Sequence, residues 1–113
     1  MEYDSALKML GLAEKAGKVQ SGAFLAEKAI KGGIAEMVLI ASDTSYNTRK
    51  QFINSCKWYN IKCYEFIDKE TLGKAIGKEE RAVIAITDKG LAKAIKEKME
   101  QQVLREARLD VES

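Results

Sequence analysis

The chain of 113 residues is long enough for one domain and too short for two cores of ordinary size. Its hydrophobic fraction of 46% and charged fraction of 32% exclude a disordered or low-complexity chain, and its apolar runs are too short to cross a membrane. The net charge is +4 for residues 1–96 and −2 for residues 97–113, so an anionic partner is permitted but not required.

The residue types that are missing restrict the chemistry. Histidine is absent, which excludes catalytic systems that depend on an imidazole base. Cys56 and Cys63 have a spacing that fits neither a zinc site nor a redox motif. We therefore expect no catalysis, no metal, no other cofactor and no small-molecule substrate. The amino terminus lacks the features of a secretory signal, so we expect a cytoplasmic protein without membrane association.

Apolar residues recur at helical spacing in some segments and form short continuous runs in others, which predicts alternating helices and strands. Helices are predicted from Asp4 or Ser5 to Gly17, from Gly22 to Gly32, from Asn47 or Thr48 to Tyr59, after Asp68, and after Thr87-Asp88. Strands are predicted over residues 18–21, 37–41, 61–66 and 82–86.

This order of elements predicts an α/β fold, a three-layer α/β/α sandwich around a mixed four-stranded sheet. Residues 1–100 form the domain in this interpretation, and residues 101–113 form a helical extension or a frayed tail. In the third helix, Phe52, Ile53 and Cys56 are expected to face inward. Trp58 and Tyr59, at its end, are expected to pack in the core and at its rim.

Ser21 and Gly22 stand at the predicted start of the second helix, and Lys28 follows in its second turn. The N–H groups of a helix start attract phosphate oxygens, and Lys28 would add a full charge. An ordinary helix start with a solvated lysine explains the same residues and is favoured when they are considered alone.

A second candidate segment runs from Leu72 to Lys78 and contains two glycines four residues apart. Its apolar residues between the glycines form a surface that could support an unstacked base while nearby cations hold phosphates. A helix carboxyl terminus with glycine caps is an equally good explanation. The candidate residues are Gly73, Lys74, Ala75, Ile76, Gly77, Lys78 and Arg81.

Arg49 and Lys50 fall in the first turn of the predicted third helix, where cations oppose the helix dipole. A contact with an anion would explain them, although a solvated charge pair is the more common outcome. Asp43 and Asp88 each follow a buried strand, where α/β enzymes place ligands, but both positions favour capping of turns and helices.

Five segments, in this order, resemble the L7Ae/L30e family of ribosomal and kink-turn RNA-binding proteins, and within it the small bacterial YlxQ-type proteins. The resemblance covers roughly residues 5–96. The segments are Leu10–Val19, Ser21-Gly22 through Ile30, Met37–Asp43, Leu72–Lys78 and Val83–Asp88.

The resemblance implies a protein that grips structured RNA, such as ribosomal RNA or a kink-turn, without catalysis. The start of the second helix, the loop after the next strand and the glycine-containing loop would make the contacts. Gly22 and Lys28 match family positions, but Phe24 and Leu25 replace the polar pair that reads sheared G·A pairs. RNA binding tolerates this departure more easily than kink-turn specificity does.

Two other functions fit the same fold. Phe24, Leu25 and the tail could form a protein-interaction surface. The chain also resembles the RNA-recognition domain attached to RNA 2′-O-methyltransferases, without the catalytic domain. The salt dependence of binding separates RNA binding from protein interaction, because RNA binding weakens steeply with salt and apolar protein contact does not.

Overall fold

The computed structural model describes residues 4–112 of the chain, with side chains described for residues 4–101. Five helices alternate with four strands, as the hydrophobic pattern predicts. Helices are α1 (Asp4–Lys15), α2 (Ala23–Lys31), α3 (Tyr46–Trp58), α4 (Lys69–Ala75) and α5 (Lys89–Glu112). Strands are β1 (Val19–Ser21), β2 (Met37–Ile40), β3 (Lys62–Glu65) and β4 (Val83–Ile86).

The strands form one mixed sheet in the order β1-β4-β2-β3. β2 and β3 are parallel, and β4 is antiparallel to both β1 and β2. Ser21 pairs with Ile84 at one end of the sheet, called here the Gly22 end. Met37 pairs with Ile86 at the other end, called here the Met37 end.

Helices cover both faces of this sheet because the two central strands are apolar on both faces. All four residues of β2 and of β4 are buried. Leu39 and Ile84 face the layer that contains α1, α4 and α5, where Leu10 and Leu72 are fully buried. Val38 and its neighbours face α2 and α3, where Ile30 and Phe52 are fully buried. The α/β/α sandwich expected from the sequence is therefore confirmed.

Two side-chain predictions for α3 are wrong. Ile53 is 39% exposed although it was expected inward, and Trp58 is 84% exposed although it was expected to pack. Phe52 and Cys56 occupy the buried face, as predicted. Because the buried face of α3 is narrow, Ile53 lies at its border and stays partly exposed to solvent. Trp58 is the last residue of the helix and lies outside both core clusters.

Helix α5 continues to Glu112, past the boundary at residue 100 that the sequence suggested. The contribution of the tail to a protein-interaction surface would come from side chains outside the described residues. The division into residues 1–100 and 101–113 stays a prediction. In the part of the chain that is described, no helix has the length and hydropathy needed to cross a bilayer.

Asp68 is the N-cap of α4. Its carboxylate accepts hydrogen bonds from the Thr71 N–H at 3.0 Å and the Thr71 hydroxyl at 2.8 Å, and these bonds lower the pKa of Asp68. A carboxyl whose pKa is lowered by folding stabilises the fold above its unfolded pKa, and this contribution is lost as the pH falls through the folded value.

We therefore expect Asp68→Asn to flatten the loss of stability below about pH 4. The measurement is urea unfolding of both proteins between neutral and acidic pH. An unchanged pH profile would show that other carboxyls dominate acid unfolding.

Candidate nucleic-acid interface

Helix α2 begins at a glycine whose conformation other residues rarely adopt. Gly22 has φ 90° and ψ 160°, where a Cβ is strained. Its N–H donates to the Val83 carbonyl at 2.9 Å, which fixes the helix start against β4. Gly22 provides no capping side chain, and the first turn carries no acidic residue. The N–H groups of this turn therefore favour an anion.

Arg81 joins the start of α2 to the segment that follows α4. Its Nε donates to the Ser21 hydroxyl at 3.2 Å, and its Nη1 donates to the carbonyls of Glu79 at 3.4 Å and Glu80 at 3.1 Å. The Ser21 and Arg81 side chains, sixty residues apart in sequence, are thus in direct contact. Arg81 is half-buried, and its hydrogen bonds connect the start of α2 to residues 79–81. Its positive charge lies at the Gly22 end.

The backbone of Lys69 connects Arg81 to the loop after β2. The Lys69 carbonyl accepts from the Arg81 N–H at 3.1 Å, and the Lys69 N–H donates to the Asp43 carboxylate at 2.9 Å. Thr44 is buried and donates to the Ala82 carbonyl at 3.3 Å. The start of α2, the loop after β2 and the residues Lys69 and Arg81, which flank the glycine-containing segment, therefore meet at one end of the sheet. Asp43 was expected to cap its own turn, whereas its carboxylate accepts the first N–H of the distant helix α4, whose N-cap is Asp68.

The glycine-containing segment has the geometry of a helix carboxyl terminus. The Lys78 N–H donates to the Gly73 carbonyl at 2.9 Å, and the Gly77 N–H donates to the Lys74 carbonyl at 3.0 Å. Gly77 has φ +71°. This pair of bonds with a left-handed glycine is a Schellman motif. Of the two explanations left open by the sequence, the capping explanation accounts for the backbone of this segment.

The expectation that this segment presents an apolar surface to bases is wrong for Ile76. Its side chain is 4% exposed and packs in the core beside Leu72, while Ala75 is half-buried. Gly73 is also buried, and a Cβ at this position would lie 1.9 Å from the Glu79 carbonyl oxygen. The two glycines thus allow the chain to turn back closely at the end of α4. Ala75 and Ile76, which lie between them, pack toward the core.

Arg49 does not reach outward as a free cation. Its Nη1 forms an ion pair with Glu65, and its Nη2 donates to the Ser42 carbonyl at 2.8 Å. These contacts fix the loop after β2 to the end of β3. The Lys50 side chain is exposed and lies 6.0 Å from the centre of the Tyr46 ring. Of this pair, Lys50 is the one available to an anion.

The remaining candidate lysines are exposed. Lys74 pairs with Glu70 at 3.3 Å, an exposed contact that contributes little to stability. Within the described residues, Lys28 and Lys78 have no ion-pair partner. Lys28 lies beside Gln20 and Leu25 on the outer side of α2. Its position within reach of the glycine-containing loop stays a prediction.

Phe24, directly after the helix start, is 78% exposed and is the most exposed large apolar residue of α2. Leu25 is 42% exposed and, with Ile34, borders a surface cavity of about 320 Å³. This exposure agrees with the hydrophobic pattern, because Ala26, Ala29 and Ile30 form the buried face of α2 without Phe24. Phe24 belongs to the first turn of α2, whose start has no side-chain cap.

Two curated proteins are similar to this chain. The RNA-binding protein YlxQ of Bacillus subtilis (strain 168) is 42% identical over 84 residues, which cover 74% of this chain and 84% of the relative. The RNA-binding protein YlxQ of Enterococcus faecium is 36% identical over 95 residues, which cover 84% of this chain and 91% of the relative.

Solved structures show the same fold. A protein of unknown function from Bacillus halodurans superposes with a TM-score of 0.81 at 32% identity, over 84% of this chain and 96% of that protein. A 15.5kD RNA binding protein of Giardia lamblia superposes with a TM-score of 0.72 at 23% identity, over 92% and 90% of the two chains, which shows the fold alone. The model of the ribosomal protein L7Ae/L30e/S12e/Gadd45 family matches residues 4–96. The chain belongs to this family.

Proposed function

We propose that this chain is a non-enzymatic, cytoplasmic protein that binds structured RNA, ribosomal or kink-turn-like, at the Gly22 end of the sheet. The observation that carries the proposal is the convergence of three segments on the uncapped start of α2. The contact between Ser21 and Arg81 and the two backbone bonds of Lys69 hold this arrangement. The names of the Bacillus and Enterococcus relatives support RNA as the ligand class.

Phosphate contacts explain the chemistry of this end. The first-turn N–H groups of α2 would bind one phosphate, and the exposed cations would hold the neighbouring backbone. The cations that we propose for these contacts are Lys28, Lys50, Lys74, Lys78 and the exposed part of Arg81. Such contacts carry no sequence information, so they give affinity without selecting a particular RNA.

The Phe24 and Leu25 side chains offer no hydrogen bonds to base edges. An exposed aromatic ring beside a phosphate site is suited to stacking with an unpaired base, which tolerates any base identity. We therefore infer a kink-turn-type site with reduced specificity. The buried Ile76 makes no part of the base contact in this proposal.

The test is a salt titration with a kink-turn RNA and a scrambled RNA of equal length. We expect the two affinities to differ by less than about a hundredfold, because the base-reading pair, worth roughly 1–3 kcal/mol, is absent. Lys28→Ala should weaken both RNAs by similar factors and reduce the salt slope by about one. Lys8→Ala, an exposed lysine of α1, is the matched control.

A kink-turn preference well above a hundredfold would show that other residues read the motif. Failure to bind either RNA at low salt would refute RNA binding by the isolated protein. The observation that favours a second function, protein interaction, is the exposure of Phe24 and Trp58. Binding to a protein that persists at high salt would support this second function, since apolar contacts are not screened.

A further inference from the structure

A second basic site lies at the Met37 end of the sheet. A surface cavity of about 310 Å³ opens between the starts of β2 and β3 and the first turns of α5. Its lining contains four lysines and one acidic residue, a net of three positive charges. The lining residues are Glu36, Met37, Lys62, Tyr64, Lys89, Ala92, Lys93 and Lys96.

Three of the lysines come from one face of α5. Lys89, Lys93 and Lys96 follow each other at spacings of four and three residues, so their side chains project to the same side of the helix. Ala92, between them, is 7% exposed and anchors this part of the helix to the sheet. Lys62 is contributed by β3, across the cavity. Like charges have thus been brought together by tertiary structure, which costs stability unless an anion offsets it.

The protein itself neutralises little of this charge. Lys96 pairs with Glu100 at 3.7 Å, and its Nζ lies 5.7 Å from the centre of the Tyr64 ring. The hydroxyl of Tyr64, first, and the Glu100 carboxylate, second, raise the pKa of Lys96. Among residues 4–101, Lys62, Lys89 and Lys93 have no ion-pair partner.

This cavity is separate from the interface proposed above. Met37 pairs with Lys62 and with Ile86 at its own end of the sheet, whereas Ile40 pairs with Val83 at the Gly22 end. The two sites are therefore at least one strand length apart, about 10 Å. None of the cavity lysines was singled out in the sequence.

We propose that this lysine cavity binds the phosphodiester backbone of a second segment of RNA, so that the protein contacts RNA at both ends of its sheet. The three lysines of α5 span about 10 Å along the helix axis, which suits a ligand with successive phosphates better than a single small anion. Tyr64 adds an aromatic ring to the lining of the cavity. This inference rests on the proposed RNA-binding function.

The experiment measures binding of a hairpin RNA of about 40 nucleotides by fluorescence anisotropy at several salt concentrations. The double variant Lys89→Ala/Lys93→Ala tests the cavity, and Lys28→Ala/Lys78→Ala tests the Gly22 end. Lys8→Ala/Lys98→Ala is the control, because it removes the same charge from helices of the same layer without touching the cavity. Thermal unfolding of each variant checks that the fold is intact.

We expect the cavity variant to bind about tenfold more weakly and to lose about 1.4 to 1.8 from the salt slope, while the affinity of the control changes by less than about twofold. Equal binding by the parent, the cavity variant and the control would overturn the inference. The proposed function would survive that result if the Gly22-end variant were still weakened. A parent protein that binds no RNA would refute the proposed function itself.

A photo-crosslinking arm locates the contact. We expect crosslinks at Tyr64 itself in the parent and in the control, and we expect the cavity variant to lose them. Crosslinks confined to the Gly22 end would contradict a second RNA contact.

Discussion

Replacing Gly73 by alanine is expected to destabilise the protein by about 3 kcal/mol, the upper part of the range for overpacked sites. The added Cβ would lie 1.9 Å from the Glu79 carbonyl oxygen and 2.9 Å from the Glu80 Cα. Both neighbours are backbone atoms, so no side-chain rotation can relieve the contact. The segment after α4 would have to move away from the helix, and its bond from Lys78 to Gly73 would be lost with it.

The measurement is urea or thermal unfolding, where this loss corresponds to a fall in Tm of about 12 °C or more. Gly90→Ala is the matched control, because a Cβ there approaches only the Asp88 carboxylate, at 3.4 Å. Alanine also favours the helix in which Gly90 lies. We expect the control to equal or exceed the stability of the parent. A Gly73→Ala protein within about 1 kcal/mol of the parent would show that this segment yields easily.

The second large effect concerns the specificity of RNA binding. Installing a polar pair through Phe24→Asn/Leu25→Glu is expected to raise the preference for a kink-turn over a scrambled RNA by about 5- to 150-fold. The new side chains would supply the donors and acceptors that base edges require. Both positions are exposed, so the substitution leaves the core intact.

The control for this gain is Phe24→Ala/Leu25→Ala, which removes the apolar side chains without adding hydrogen bonds. It should weaken both RNAs if Phe24 stacks on a base, and it should leave their ratio unchanged. Competition binding with both RNAs gives the ratio directly. A ratio that the polar pair does not increase would mean that this end of α2 does not face the base pairs.

The layers of the fold could be predicted because their determinants are local. Met37–Ile40 and Val83–Ile86 are continuous apolar runs, which identify strands buried on both faces. Asp68 and Asp88 were recognised as caps, and each accepts a hydrogen bond from a backbone N–H of the helix that follows it. Hydrophobic periodicity and helix capping can both be recognised in the sequence of a single strand or a single helical turn.

The details of the site depended on contacts between distant segments. Nothing near Arg49 in sequence indicates that Glu65 neutralises it. The burial of Ile76 follows from how α4 lies against the sheet, which the glycines around it do not reveal. The lysine cavity combines Lys62 with a stripe on α5 that reads, in sequence, as an ordinary solvated helix face.

The two outer strands of the sheet bear on how the protein avoids aggregation. β1 has only three residues, and β3 has four, with the charged residues Lys62 and Glu65 exposed at its two ends. An edge strand invites pairing with another chain when it is long, flat and apolar. Short edge strands present few unpaired backbone groups to another chain. A charged side chain at each end of β3 would also lose its hydration if a continuous intermolecular sheet formed, which costs free energy. A second copy of this chain therefore finds little template at either edge, and we expect the protein to resist forming β-sheets between molecules at high concentration.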